Sequence, residues 1–124
     1  MHVIAQGFNG IREEADGAVT VHRIFHEPTF EAIPPLREWA ARISYSALVN
    51  RRLLQIMSRE AIDLVEVPNF SGEGFVYSRR KRTPLVTRLH THSSETIQMY
   101  GWQRTLDHRL SCVLEEAAVL NSDQ

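Results

Sequence analysis

One cysteine, Cys112, stands in a chain of 124 residues. An internal disulfide and a thiolate metal cage are both excluded, and a lone thiol inside a periodic helical stretch reads as a core residue. No His-Glu-x-x-His pattern accompanies the six histidines. The His-x-His pair at His90 and His92 has no identifiable third ligand, so neither a metal nor a cofactor is expected. An excess of charge of one sign is missing too. Fourteen Lys and Arg against fifteen Asp and Glu leave a formal net charge of −1, and without a global field no nucleic-acid partner is expected. No apolar run approaches the roughly 18 to 20 residues that cross a bilayer. The opening "MHVIAQGFNG" lacks the charged n-region, long apolar core and cleavage site of a signal peptide, so a cytoplasmic protein is expected. Repeats are absent as well. With 43% hydrophobic residues the chain can bury one core, which makes 1–124 a single domain.

What is present has the punctuation of alternating strands and helices. His2 to Ala5 reads as a short buried strand closed by "QGFNG", where two glycines and Asn9 suit a tight loop. "ADG" at Ala15 to Gly17 is a turn, and "AVTVHRIF" after it alternates Val19, Val21 and Arg23 against Thr20, His22 and Ile24, the period of a strand. Between these two strands the loop from Gln6 to Gly17 carries no helical pattern and is near the lower limit for a parallel crossover, which leaves their relative direction open. Pro28, Pro34 and Pro35 precede a helix opening at Leu36. Leu36, Trp39, Ala40, Ile43, Ala47, Leu54, Met57 and Ala61 predict its buried stripe. Ile62 to about Val67 is the third strand, stopped by Pro68. Phe75 to Arg79 is a brief helix, Leu85 to Leu89 the fourth strand, and Gln103 to Leu120 a last helix with Leu106, Leu110, Val113, Leu114, Ala117 and Leu120 on its apolar face. This order predicts an α/β fold: an open, mostly parallel sheet of about four strands with covering helices.

Two stretches at the carboxyl ends of predicted strands carry candidate chemistry, since open α/β sheets build sites there. In "GEG", Gly72 to Gly74, two residues without side chains flank a carboxylate, an arrangement that lets backbone amides and Glu73 approach a ligand. The structural alternative is a plain turn with an exposed Glu. "PLVTRLHTHSS" ends its apolar run in His90, Thr91 and His92. Strand alternation would put His90 and His92 on one face, where a histidine can act as general base, orient a hydroxyl or donate to a developing charge. The bland alternative is a pair of solvated or backbone-bonded loop histidines. "RRKR" at Arg79 to Arg82 reads as a solvated turn, and Tyr100 and Trp102 as a staple on the last helix.

Taken in order, "HVIAQG", "DGAVTVHRI", "IDLVEVPNFSGEGF", "TPLVTRLHTHSS" and the helix ending "EEAAVLNSDQ" resemble the amino-terminal Rossmann-like domain of the retaining, GT-B-fold glycosyltransferases known as group 1 or family 4. The resemblance covers nearly the whole chain and rests on five segments in sequence, with no single decisive motif. It implies transfer of a sugar from a nucleotide-sugar donor to a sugar, lipid or small-molecule acceptor, in a cleft between two Rossmann-like halves. It further implies that His90 contacts the donor sugar beside the reacting centre, and that Gly72, Glu73, Gly74, Thr91 and His92 face the acceptor. Departures from the family pattern matter equally. A first strand, a glycine-rich loop and a first helix are not found ahead of Met1, nor a donor-binding domain after Gln124. The chain is therefore expected to be part of a glycosyltransferase and inactive alone, with unpaired sheet edges that pair across the gap or promote homo-oligomers. A Rossmann-like module binding a small phosphorylated ligand without catalysis, and a purely structural interaction domain, are the competing readings. The "RRKR" turn also allows peripheral attachment to a membrane.

Overall fold

The computed structural model describes residues 1–8, 10, 12–27 and 34–123. Asn9 and Pro28, named above, and the final Gln124 lie outside them. Among the described residues, five strands and four α-helices follow one another as β1 (His2–Gly7), β2 (Arg12–Asp16), β3 (Val19–Phe25), α1 (Arg37–Met57), β4 (Val65–Pro68), α2 (Phe75–Ser78), β5 (Leu85–Arg88), α3 (Ser93–Met99) and α4 (Leu106–Leu120). The α/β class expected from the sequence is the class observed.

The single sheet of about four strands is not. Strands fall into two hydrogen-bonded sets, β1-β3-β2 and β4-β5. β1 pairs parallel with β3, and β2 forms within the stretch read as a loop, returning antiparallel to β3 through the turn at Gly17 and Ala18. A run such as "REEAD" escapes a hydrophobic-periodicity reading because every one of its residues is exposed. The question of direction between the first two predicted strands is thereby answered as parallel. β4 and β5 form the second parallel pair, in register from Val65 opposite Leu85 to Pro68 opposite Arg88. β1 and β4 each leave one edge outside these pairs, and they do not pair with each other. On the outer side of β5, Asp123 donates its N–H to Leu85 C=O at 2.8 Å and accepts the Leu85 N–H on its carboxylate at 2.8 Å.

The apolar core sits between the carboxyl half of α1 and the β4-β5 pair. Leu53, Val65, Val67, Tyr77 and Leu85 form it, with Ile4, Met57 and Ile62 packed around them; fully burying a side chain of this size contributes about 1.5–3 kcal/mol. Both long helices turn inward a face rotated from the one predicted, with Met57 on α1 and Leu114 on α4 retained from the expected stripes. On α1 the buried positions are Ser46, Val49, Leu53 and Ile56, while Ala47 is exposed and Ala61 is exposed beyond the helix end. On α4 they are Asp107, Ser111, Leu114, Glu115 and Ala118. Leu106, Val113 and Leu120, placed on the apolar face by their spacing, are 57%, 57% and 83% exposed. The reason is chemical. α4 packs against α1, α2, α3 and the 70–72 turn; beside the apolar contacts of Leu114 and Ala118, these present backbone N–H groups and a guanidinium, which Asp107 and Glu115 accept.

Asp107 illustrates this. α1 opens without a side-chain cap of its own, and the Asp107 carboxylate accepts the N–H groups of Glu38 at 2.9 Å and Trp39 at 2.7 Å. A residue on another helix thus satisfies donors that every helix start leaves open. Tyr100 and Trp102, read as a staple, instead stack on each other with ring centroids 5.4 Å apart in the exposed α3–α4 connection.

Gly74 sets how closely the segment after β4 returns to the sheet, since a Cβ at this position would lie 2.6 Å from Val67 Cγ2. Gly74→Ala is expected to destabilise the protein by about 1–3 kcal/mol, seen as a lower urea midpoint with an unchanged slope.

Candidate functional site

Two polar loops leave the carboxyl ends of the parallel pair, Asn69–Gly74 after β4 and Leu89–His92 after β5. Their proximity follows from the pairing of β4 with β5, and three buried polar side chains fix it. Asn69, 2% exposed, reaches across: its Oδ1 accepts the His90 N–H at 2.6 Å and its Nδ2 donates to the His90 C=O at 3.4 Å. Ser46, from α1, donates its hydroxyl to Glu73 C=O at 2.8 Å and accepts the Val76 N–H at 3.0 Å. The third is Glu115 of α4, 0% exposed.

The Glu115 carboxylate joins both loops. Oε1 accepts the Ser71 N–H at 3.1 Å, and Oε2 accepts the Ser93 N–H at 2.9 Å. The Ser93 hydroxyl also donates to it, and Arg42 Nη1 lies 2.8 Å from Oε1. Every partner is a donor, the arrangement a buried carboxylate needs. To present its amide, Ser71 adopts φ 62°, followed by Gly72 at φ 64°. Left-handed backbone is costly for a residue with a Cβ, by roughly 1–2 kcal/mol, and here it aims an N–H at the buried charge. Glycine meets the same demand next in the chain without that cost.

Each residue singled out from the sequence has a definite place. Gly72 is buried against Leu114 and Glu115 of α4, and Gly74 against Val67, so both shape the loop from within. Glu73 stands between them, half-buried, and burial raises its carboxyl above the usual range. Burial and the neighbouring Glu73 push the Tyr45 phenol of α1 up to about 12. His90 is exposed with its backbone held at both N–H and C=O, and Thr91 beside it is exposed.

His92 departs from expectation. β5 ends at Arg88, so strand alternation does not extend to residues 90–92 and the two histidines do not share a face. His92 turns inward as the N-cap of α3: its Nδ1 accepts the Ser94 N–H at 3.2 Å and the Ser94 hydroxyl at 2.7 Å. The proton therefore resides on Nε2, which faces Glu115 Oε2 at 3.4 Å. Ser94 and Ser93 in "HTHSS" thus belong to a helix start that the sequence reading missed.

Sequence reasoning also passed over Glu115, Asn69 and Ser46. A signal for the first existed: Asp107, Ser111 and Glu115 recur every four residues, a polar stripe with helical spacing. Beyond the end of β3, His26 lies edge-on to Tyr45 with centroids 5.7 Å apart, and burial lowers its pKa. His26, Tyr45 and Glu73 thus form a second polar patch next to the clamped loops. An imidazole and a carboxyl are therefore present on a clamped backbone, His90 in solvent and Glu73 half-buried. Among the described residues no cluster of three or more His, Cys, Asp or Glu is arranged to hold a metal ion, and no helix is long and apolar enough to cross a membrane.

No family model, curated protein or solved structure matches this chain.

Replacing Glu115 with Ala is expected to cost about 3–5 kcal/mol, since Arg42 would keep a buried charge and two loop amides would lose their acceptor. Chemical denaturation measures it, and Glu115→Gln, which keeps one acceptor oxygen, should lose less.

Proposed function

We propose that this chain is the acceptor-side wall of a glycosyltransferase cleft, a Rossmann-like half of a GT-B fold in a retaining enzyme of the group 1 type. The observation that carries the reading is His90: an exposed imidazole in the loop just beyond β5, on a backbone pinned through both its N–H and its C=O by the buried Asn69. The pinned backbone fixes where the imidazole is attached, and the exposed ring remains open to a ligand, as a catalytic contact requires. The other support is the resemblance of five sequence segments, in order, to the family pattern.

In this reading the donor is a nucleotide sugar, bound mainly by a domain opposite this one. His90 donates a hydrogen bond to the donor sugar beside the reacting carbon. Because it acts only while charge develops there, its effect falls on turnover more than on binding. Glu73 and Thr91 face the acceptor, a sugar, lipid or small molecule whose hydroxyl attacks. Gly72 and Gly74 give the acceptor loop its path, and His92 holds the start of α3 behind it. The groups that would stabilise the departing diphosphate belong to the facing domain, so this chain alone is inactive. The protein works in the cytoplasm, and the free edges of β1 and β4 favour self-association.

The test is release of nucleoside diphosphate from a panel of nucleotide sugars by the full reading frame that contains this chain. Turnover of one donor is expected, with a loss of about a hundredfold or more in His90→Ala. Absence of turnover with every donor, alongside binding of inorganic phosphate by this chain, would favour a non-catalytic module for a phosphorylated ligand.

A further inference from the structure

Away from the clamped loops, the β1-β3-β2 sheet turns one face to α1. Register places Ile4 and Glu13 opposite His22 on that face, and His2 opposite Thr20. The side-chain hydrogen bonds from this sheet to α1 and the residues after it run through His2, Glu13 and His22, and through His26 just past β3. Two of them, joined by a bond between His22 and His2 within the sheet, form a continuous chain. Arg52 Nη2 lies 2.8 Å from His22 Nδ1, His22 Nε2 lies 3.0 Å from His2 Nδ1, and His2 Nε2 lies 2.8 Å from Glu60 Oε2.

The ends of this chain dictate where its protons are. A guanidinium has donors only, so His22 Nδ1 presents a lone pair and His22 carries its proton on Nε2. That N–H points at His2 Nδ1, which must therefore accept, leaving the His2 proton on Nε2 to be donated to the Glu60 carboxylate. Two neutral imidazoles satisfy three links with one proton in each. One more proton on either ring sets two donors against each other at one link, and exchanging tautomers moves the conflict along to Arg52 without removing it.

The surroundings do not relieve it. Glu13, on β2, is 3.6 Å from His22 Nδ1 but is half in solvent and already paired with Arg52. Arg59 joins His2, Glu13, His22, Arg52 and Glu60 in lining one cavity of about 260 Å³. Burial first, and then Arg52, hold the His22 pKa below the ordinary histidine range. His26 differs: Ser44 donates its hydroxyl to Ala41 C=O at 3.0 Å and accepts from His26 Nε2, so protonation would leave that bond intact and act through burial alone.

We propose that the Arg52–His22–His2–Glu60 chain is a pH-sensitive latch, which docks the three-stranded sheet on α1 while both imidazoles are neutral and releases it on protonation. A histidine whose pKa is depressed when docked binds fewer protons in that state than when released. Docking is therefore complete above the ordinary histidine pKa of about 6.5 and weakens as pH falls below it. Release withdraws Ile4 from the Leu53–Val65 core and His26 from Tyr45, beside Glu73, so acidification reaches the candidate site through β3. The latch does not depend on the transferase reading.

Nitrogen NMR of the full chain at about pH 7.5 should show His2 and His22 both as Nε2–H tautomers. Amide exchange, corrected for its intrinsic pH dependence, should accelerate about tenfold in β1 and β3 between about pH 7.5 and pH 5.5, with β4 and β5 unchanged. His22→Gln keeps an acceptor for Arg52 and a donor for His2 without a titrating ring, and should remove that difference. An Nδ1–H tautomer at His22, equal acceleration in both sheets, or a pH effect that survives in His22→Gln would overturn the latch. If the variant does not fold, the two measurements on the unaltered chain decide.

Discussion

The Glu115 carboxylate is the constraint on which the rest of the polar architecture depends. It lies at full burial on α4 and collects the Ser71 amide, the Ser93 amide and hydroxyl, and the Arg42 guanidinium. A buried pair of this sort adds little net stability relative to apolar packing, because desolvation consumes most of the Coulombic gain. Geometry is what it supplies. Donors from α1, the loop after β4 and the start of α3 must converge on two oxygen atoms, and that convergence leaves the loops after β4 and β5 one arrangement. Ser71 accepts a left-handed backbone to take part.

α1 carries the corresponding division of labour along its length. Toward its amino end Arg42 and Ser46 point polar groups at the clamped loops, and the helix start is closed by Asp107 from α4. Toward its carboxyl end Val49, Leu53 and Ile56 are buried and apolar, while Arg52 turns to the sheet and anchors the histidine chain. One helix therefore joins a clamped polar rim to a sheet whose side-chain hydrogen bonds to it run through titratable groups, beside the apolar contact of Ile4. Such a contrast in stability between neighbouring units is where local motion is expected to concentrate. His26 and Tyr45 form the bridge between the two.

Local chemistry made much of the fold legible. Alternation in "AVTVHRIF", the glycine turn before it, the proline-led entry to α1 and the proline after Val67 each located an element to within a few residues, because strand period and turn geometry depend on near neighbours alone. His90 was legible for the same reason: an apolar run ending in polar residues marks a strand's carboxyl end. β2 and α3 were not. "REEAD" is a wholly exposed hairpin strand, and "SSETIQM" has few apolar residues to show a period.

The sequence by itself determined the α/β class, the order of most elements, and the placing of Glu73, His90 and Thr91 next to strand ends. Tertiary structure alone decided which faces are inside. The leucines of α4 at 106 and 120 are in solvent and its Glu115 is buried beside Leu114 and Ala118, since the Ser71 and Ser93 amides and the Arg42 guanidinium converge on that carboxylate. It also decided that His92 caps a helix while His90 stays open, and that His2 and His22, twenty residues apart, share a hydrogen bond. The physical reason is common to all three. A hydrophobic period records only a side chain's own preference for water, whereas the free energy of burying a polar group is set by its partner, and that partner lies elsewhere in the chain.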